Sequence, residues 1–516
     1  VKIKITEKFV RIATICVVTY LVCFGIAEAF FPVRPFWNDE WRLVYNIKFK
    51  SVNALWGTLD LLQECPRIYL TVLKKISSFF DYSYTSLRLP PLVVTSGSLL
   101  FIFYLRKKIF SKSSILTYLF ILVVVSSQTF TDYIVQVKQY EMDLFLCLVA
   151  LWQLMTLLEL SEGASVTKSK YLLLCLSFAV APLISYVYPI TAAPIFPIIL
   201  LRAMSSVRDK DRNKSKYLLS LLFQLTLVSV CIVILYCIDL KHVMADDRMY
   251  ISYIRACYHG VRESFIEDLW MLFSLVGSGF LFEIIFGVLG LAAFSYGIFR
   301  AAKMKMQHYS REECFRSYAI LLLFVILCLF LSGKLLGGVA RLTAYSVPSI
   351  AILIVILLED VKEKYNYVKV ANIIATVLFL GLFGNIISTC INTFTYVEYS
   401  RRIKTYKQVS MALKEARVNK VPLLFTDQVR GDKIYDYPPG PGRIMANTIT
   451  TAQIQGVDTL CAEVILKVNP EYKVWDTIPV YLIQEMKWTG EYMKQLPEQY
   501  HSAIATDGIN FVKVNR

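Results

Sequence analysis

The sequence predicts a polytopic α-helical membrane protein of about 11 spans, followed by a small soluble α/β domain. Three observations predict it. The 516 residues are 56% hydrophobic and only 18% charged, with mean hydropathy +0.52, more apolar than a soluble domain. Several runs approach or exceed the roughly 20 apolar residues that cross a bilayer. Lysine and arginine concentrate in alternate connectors, as the positive-inside rule requires.

Taken in order, the first span runs over about 10–31, after a basic start (Lys2, Lys4, Lys8, Arg11). It lacks a small-x-small cleavage site and reads as a retained span. Residues 32–87 are too polar to cross and too apolar for a free loop, so LWGTLDLL and YLTVLKKISSFF read as interfacial helices. Further spans are expected near 88–105, 115–130, 140–158, 171–187, 189–203, 217–238, 270–299, 317–332, 340–358 and 368–391. The stretch 270–299 is long enough to be two segments. The N-terminus and the connectors after even-numbered spans carry the cations and are assigned to the cytoplasm. An odd span count then places the first long loop and the tail together on the outer face. A transmembrane region 1–392 and an extracytoplasmic domain 393–516 follow. Short β-rich runs mark that domain (VPLLFTD, VWDTIPVYLI, INFVKV), with an amphipathic stretch EYMKQLPEQYHSAIA.

The net charge of +16 is explained by this asymmetry and implies no nucleic-acid partner. The twelve cysteines form no C-x-x-C pair and sit mostly in apolar runs, where cysteine acts as a small hydrophobe. Four histidines argue against a His-rich metal site.

Four constellations have chemical potential. Asp39 and Glu40 follow the first span among Phe36, Trp37, Trp41 and Tyr45, at the depth that Trp and Tyr favour. Asp39 reads as a catalytic base reaching a lipid headgroup, or as a solvated acid beside an aromatic belt. Asp132, Lys138, Gln139, Tyr140, Glu141 and Asp143 crowd the mouth of the fourth span. Ionisable groups in a span usually face a cavity, and Lys138 and Glu141 at helical spacing could pair; snorkelling interfacial residues are the alternative. Glu64, Arg67, Tyr69 and Lys74 are polar handles on ECPRIYLTVLKK. Lys334, Arg341 and Tyr345 open the tenth span, where arginine suits phosphate or is an ordinary helix-end cation.

Outer acids with outer cations suit one reaction. Cations hold the phosphate of a lipid-linked sugar and stabilise the leaving group. A carboxylate takes the acceptor hydroxyl's proton during attack. A single displacement inverts the anomeric centre.

At these residues the sequence resembles the GT-C membrane glycosyltransferases, especially protein O-mannosyltransferases and the lipid A aminoarabinose transferase. Asp39–Glu40 matches the family's first-loop acids, and CPRIYL its P-x-x-x-Y-like stretch. Arg88 in SLRLPPL, Asp143 in YEMDLFLCL, and Arg341, Tyr345 and Pro348 look like further members of the pattern. The match covers most of the first 150 residues and the start of the tenth span. It implies a polyprenyl-phosphate sugar donor and a lipid, polysaccharide or protein acceptor. In this assignment Asp39, Glu40 and Asp143 are catalytic. Arg341, Tyr345, Arg67 and Lys334 bind donor phosphate, while Glu64, Tyr69, Arg88, Lys138, Tyr140 and Glu141 support them. Some relatives use a divalent cation; carboxylates without histidine would suit Mg²⁺ or Mn²⁺. The competing classes are a transporter or flippase and a polymerase of lipid-linked saccharides. The sequence lacks the internal repeat common in transporters.

Overall fold

The computed structural model describes residues 7–30, 38–59, 63–110, 115–162, 166–206, 212–241, 261–277, 280–303, 310–332, 335, 342–363, 368–395, 418 and four strands in the tail. The chain divides into two units. One comprises Val1–Phe31 with Val52–Cys390, the other Pro32–Ser51 with Ile391–Arg516.

The helices are α1 (Glu7–Phe30), α2 (Asn38–Phe49), α3 (Val52–Leu55), α4 (Arg67–Ser78), α5 (Tyr84–Ile109), α6 (Thr117–Ser126), α7 (Gln128–Tyr133), α8 (Tyr140–Ser161) and α9 (Lys168–Ile184). They continue as α10 (Tyr188–Ala192), α11 (Ile195–Ser206), α12 (Arg212–Leu235), α13 (Val261–Ser274), α14 (Phe280–Lys303), α15 (Arg311–Leu331), α16 (Val347–Glu363) and α17 (Val368–Thr395). Among the described residues seven helices are long and apolar enough to cross a membrane, and three apolar helices are shorter.

Burial sorts these helices. All ten residues of α6 are buried, and α8 and α16 are mostly covered, whereas α1 and α12 turn large apolar side chains outward. Those outer faces carry residues such as Ile12, Leu222 and Val233, which suits contact with lipid tails as apolar as they are.

Two expectations change in detail, and the reading of 270–299 as two segments holds. The run 115–130 is not one helix: α6 ends at Ser127, whose hydroxyl caps α7 by accepting from the Phe130 N–H at 3.3 Å. Of LWGTLDLL the structure describes residues 55–59, where Leu55 closes α3 and Gly57 follows in a bend. The run 270–299 breaks between α13 and α14. There the Gly277 N–H donates to the Ser274 carbonyl at 2.8 Å. A Cβ at Gly277 would lie 2.4 Å from the Glu283 nitrogen, so only glycine lets the two backbones approach.

Polar contacts in the first unit gather at two ends. At one end Glu28 of α1 meets Arg88 of α5 at 3.4 Å, and Arg67 of α4 meets Asp239, just beyond α12, at 3.4 Å. At the other end Lys108 and Lys170 share Glu159, and Arg202 and Arg311 share Glu162 at 2.8 Å each. Buried Arg316 joins Glu313 and Asp360, the latter at 3.1 Å, and Tyr296 donates to the same aspartate at 3.0 Å. The cation-rich connectors therefore share one end, as the alternation of charge predicts.

In the second unit β1 (Leu423–Phe425), β2 (Thr459–Cys461), β3 (Val480–Glu485) and β4 (Ile509–Val514) form one sheet of order β2-β1-β3-β4. The β1 pairings are parallel and β3–β4 is antiparallel. Three of these strands fall in the β-rich runs named from sequence; β2 was not anticipated. The amphipathic stretch 491–505 lies outside the described residues.

Gly277→Ala is expected to lower the melting temperature in detergent, at a cost of about 1–3 kcal/mol for overpacking. Gly384→Ala, where nothing lies within 4 Å of the added Cβ, should be neutral or gain up to about 1 kcal/mol of helix propensity. Equal melting shifts for the two would refute the backbone-contact account.

Candidate active site

Helix α4 begins at Pro66, which offers no side-chain cap. Its cap comes instead from a distant helix. After α12 the chain makes a π-turn, Tyr236–Leu240, that carries buried Asp239. Asp239 Oδ2 accepts from the Arg67 backbone N–H at 3.3 Å, and Oδ1 lies 3.4 Å from Arg67 Nε. A carboxylate at a helix N-terminus is favoured by the free N–H groups and the dipole.

The Arg67 guanidinium is fully buried. It also donates to the Cys65 carbonyl at 2.8 Å and faces Glu64 Oε2 at 3.5 Å. The sequence reading gave Arg67 to donor phosphate. In the structure a phosphate would have to displace Asp239 to reach it.

The segment before α4 docks onto the approach to α8. Lys138 Nζ donates to Gln63 Oε1, Tyr69 Oη to the Lys138 carbonyl at 3.2 Å, and Cys65 Sγ to Gln139 Oε1 at 3.3 Å. The expected Lys138–Glu141 pair does not form, because Lys138 precedes α8 and helical spacing does not apply to it. Glu141 is buried and its Oε2 has no partner among the described residues.

Asp143, one turn into α8, is buried and accepts from the Ser185 hydroxyl. Ser185 ends α9, and its oxygen in turn accepts from the Val187 and Tyr188 N–H groups at 3.1 and 3.2 Å. This chain fixes the carboxylate against the α9–α10 turn. Asp143 and Glu141 are two residues apart, about 200° around the helix, so they face different sides.

Two buried hydroxyls there, Tyr186 Oη and Tyr345 Oη, lack a hydrogen-bond partner among the described residues. Tyr186 lies in the fields of Asp239, Arg67, Cys65 and Glu64, and burial pushes its phenol well up. Tyr345, in the 3₁₀ turn Ala344–Ser346 before α16, is close enough to feel Asp143. Buried polar groups are nearly always paired, so two orphans, one facing Asp239 and the other Asp143, mark a site.

The remaining sequence candidates fall as follows. Arg88 is committed to Glu28 and stacks over the Tyr84 ring at 4.5 Å. Tyr140 opens α8 with its ring 5.0 Å from Tyr133. Glu40 is buried on α2, in the second unit. The Asp39 and Asp132 side chains, and Arg341 and Lys334 altogether, lie outside the described residues. Among the described residues no three His, Cys, Asp or Glu side chains come together as a metal site.

Asp239, Ser185 and Tyr186 were missed from sequence. Asp239 carried the same signal that exposed Asp143, an acid inside an apolar run, but it sits at the run's last turn and was assigned to the connector.

No family profile and no curated protein matches the sequence. Solved structures do resemble the fold. ArnT from Cupriavidus metallidurans bound to undecaprenyl phosphate aligns at 12% identity and TM-score 0.49, covering 96% of this chain and 98% of that one. An Archaeoglobus fulgidus oligosaccharyltransferase, tethered to an acceptor peptide, aligns at 12% identity and TM-score 0.48, covering 92% and 69%. At this distance residues do not transfer, and the functional reading rests on the side chains above.

Asp239→Asn should destabilise the chain by about 3 kcal/mol, the low end for an orphaned buried charge, because Glu64 stays beside Arg67. Burial pushes the Cys65 thiol far above its ordinary range. In a variant retaining only Cys65, maleimide labelling should be slow at pH 8 and accelerate when Asp239 is replaced. Rapid labelling with Asp239 intact would refute the closed arrangement.

Proposed function

We propose that the chain is a membrane glycosyltransferase that moves a sugar from a polyprenyl-phosphate donor to an acceptor on the outer face of a plasma membrane. The observation that carries this reading is the buried cluster at one end of the bundle. Asp143, pinned by Ser185, shares a neighbourhood with the Arg67–Asp239 pair and two unpartnered tyrosine hydroxyls. Ionisable groups buried within a membrane span are expensive and by default mark a functional site.

In the proposed reaction Asp39 removes the proton from the acceptor hydroxyl. The hydroxyl oxygen attacks the anomeric carbon, the bond from that carbon to the phosphate oxygen breaks, and the configuration inverts. The leaving polyprenyl phosphate departs as a stable anion and needs cations rather than an acid. Arg341 and Lys334 supply the positive charge. Asp143 and Glu40 position the acceptor or a divalent cation. The unpartnered hydroxyls of Tyr186 and Tyr345 are donors for sugar or phosphate oxygens. The N-terminus is cytoplasmic and the C-terminal domain extracytoplasmic in this scheme, consistent with the cation-rich end of the bundle.

The test is transfer from a panel of radiolabelled polyprenyl-phosphate sugars in membranes holding the wild-type chain or Asp39→Asn. Asn keeps the shape and lacks the base. Transfer should fall by a factor of about 10²–10⁴, the usual worth of a general base, at equal expression. Undiminished transfer by Asp39→Asn removes Asp39 from its role. Carrier-linked sugar that crosses the bilayer without transfer would instead favour a flippase.

A further inference from the structure

We propose that a groove at the opposite end of the bundle binds one acidic phospholipid. The groove, about 580 Å³ in volume, lies where α1 begins and α5 ends. Arg11, Arg106 and Lys107 line it together with Ile15, Leu100 and Phe103.

The cations are the first argument. None of the three is paired with an acid among the described residues, whereas the next residue, Lys108, reaches Glu159 at 3.8 Å. Arg106 is only 8% exposed, and its Nε lacks an acceptor among the described residues. Its guanidinium is held in place, stacked 3.9 Å over the Tyr118 ring and donating to Thr117 Oγ1 at 2.9 Å. A buried guanidinium without a counter-charge is costly, and this one is fixed facing a cavity with two further cations. Glu7, one turn ahead of Arg11, does not line the groove.

Position is the second. Arg106 stands about 27 Å beyond Arg88 along α5, at 1.5 Å per residue. That is close to the roughly 30 Å of hydrocarbon in a bilayer. With Arg88 at one interface, Arg106 lies at the depth of the phosphates in the other leaflet. Basic pockets between helices at that depth suit anionic headgroups.

The walls decide between a lipid and a free anion. Leu100 is 73% exposed and Ile15 44% exposed, so the apolar side opens outward, where an acyl chain would lie. A soluble phosphate would leave that surface uncovered.

The experiment is native mass spectrometry of the purified full chain in detergent. It is offered dioleoyl phosphatidylglycerol or dioleoyl phosphatidylcholine. One phosphatidylglycerol should be retained preferentially. Arg11→Gln with Lys107→Gln changes two exposed side chains and should weaken that retention about 30-fold, the worth of two interfacial cations. Lipid-free melting of the double variant should match the wild type. Equal retention of the two lipids, or retention unaffected by the double variant, would overturn the proposal. So would displacement of the lipid by millimolar inorganic phosphate, which would mark a simple anion site.

Discussion

The arrangement of the site depends on one carboxylate, Asp239, which both caps α4 and neutralises Arg67. Helix α4 is short, amphipathic and begins with proline, so it has little to hold its first turn in place. The distant aspartate gives it an anchor. Through Arg67 the anchor fixes the 63–66 segment, and that segment holds the approach to α8 by way of Gln63 and Cys65. Asp143 follows within one turn. A single ion pair thus joins the first connector, the fourth apolar run and the end of α12, parts of the chain separated by up to 172 residues.

Burial and exposure divide the rest of the labour. The helices α6, α8 and α16 form an interior shielded from lipid, which is why α8 can carry Glu141, Asp143 and Gln153 inside it. Gln153 accepts from the Tyr188 hydroxyl at 2.7 Å, so its amide is not stranded. The peripheral helices α1 and α12 turn apolar faces outward and keep Glu28 and Gln224 on their buried sides. At the far end the Arg316–Asp360–Glu313 and Arg202–Glu162–Arg311 clusters tie helix termini together. Networks of this kind hold termini in register more than they add stability, since buried ions lose much of their attraction to desolvation.

Much of this was legible in the sequence. Hydropathy located nearly every long helix, and the alternation of cations sorted helix ends into two groups, because both signals are set locally by the bilayer. Asp143 was legible because an acid inside an apolar run stands out. Asp239 was not, since one residue at the edge of a run reads as the start of a loop. The pairing of Arg67 was invisible for a different reason: a cation near a span end looks the same whether it waits for phosphate or is satisfied by a carboxylate 172 residues away. The ten-residue α6 was overestimated because buried helices need not match the membrane's thickness; neighbours supply their surroundings.

The π-turn that presents Asp239 gives α12 a property unlike that of its neighbours. Adding or removing one residue in a helix rotates everything beyond it by about 100°. Along α12 such a change would swing the aspartate away from α4. The outward side chains of this helix, such as Leu222 and Val233, are exposed and apolar, so other apolar residues can stand in for them. The helix is therefore permissive in composition and strict in count, a ruler whose markings are free to change while its length is not.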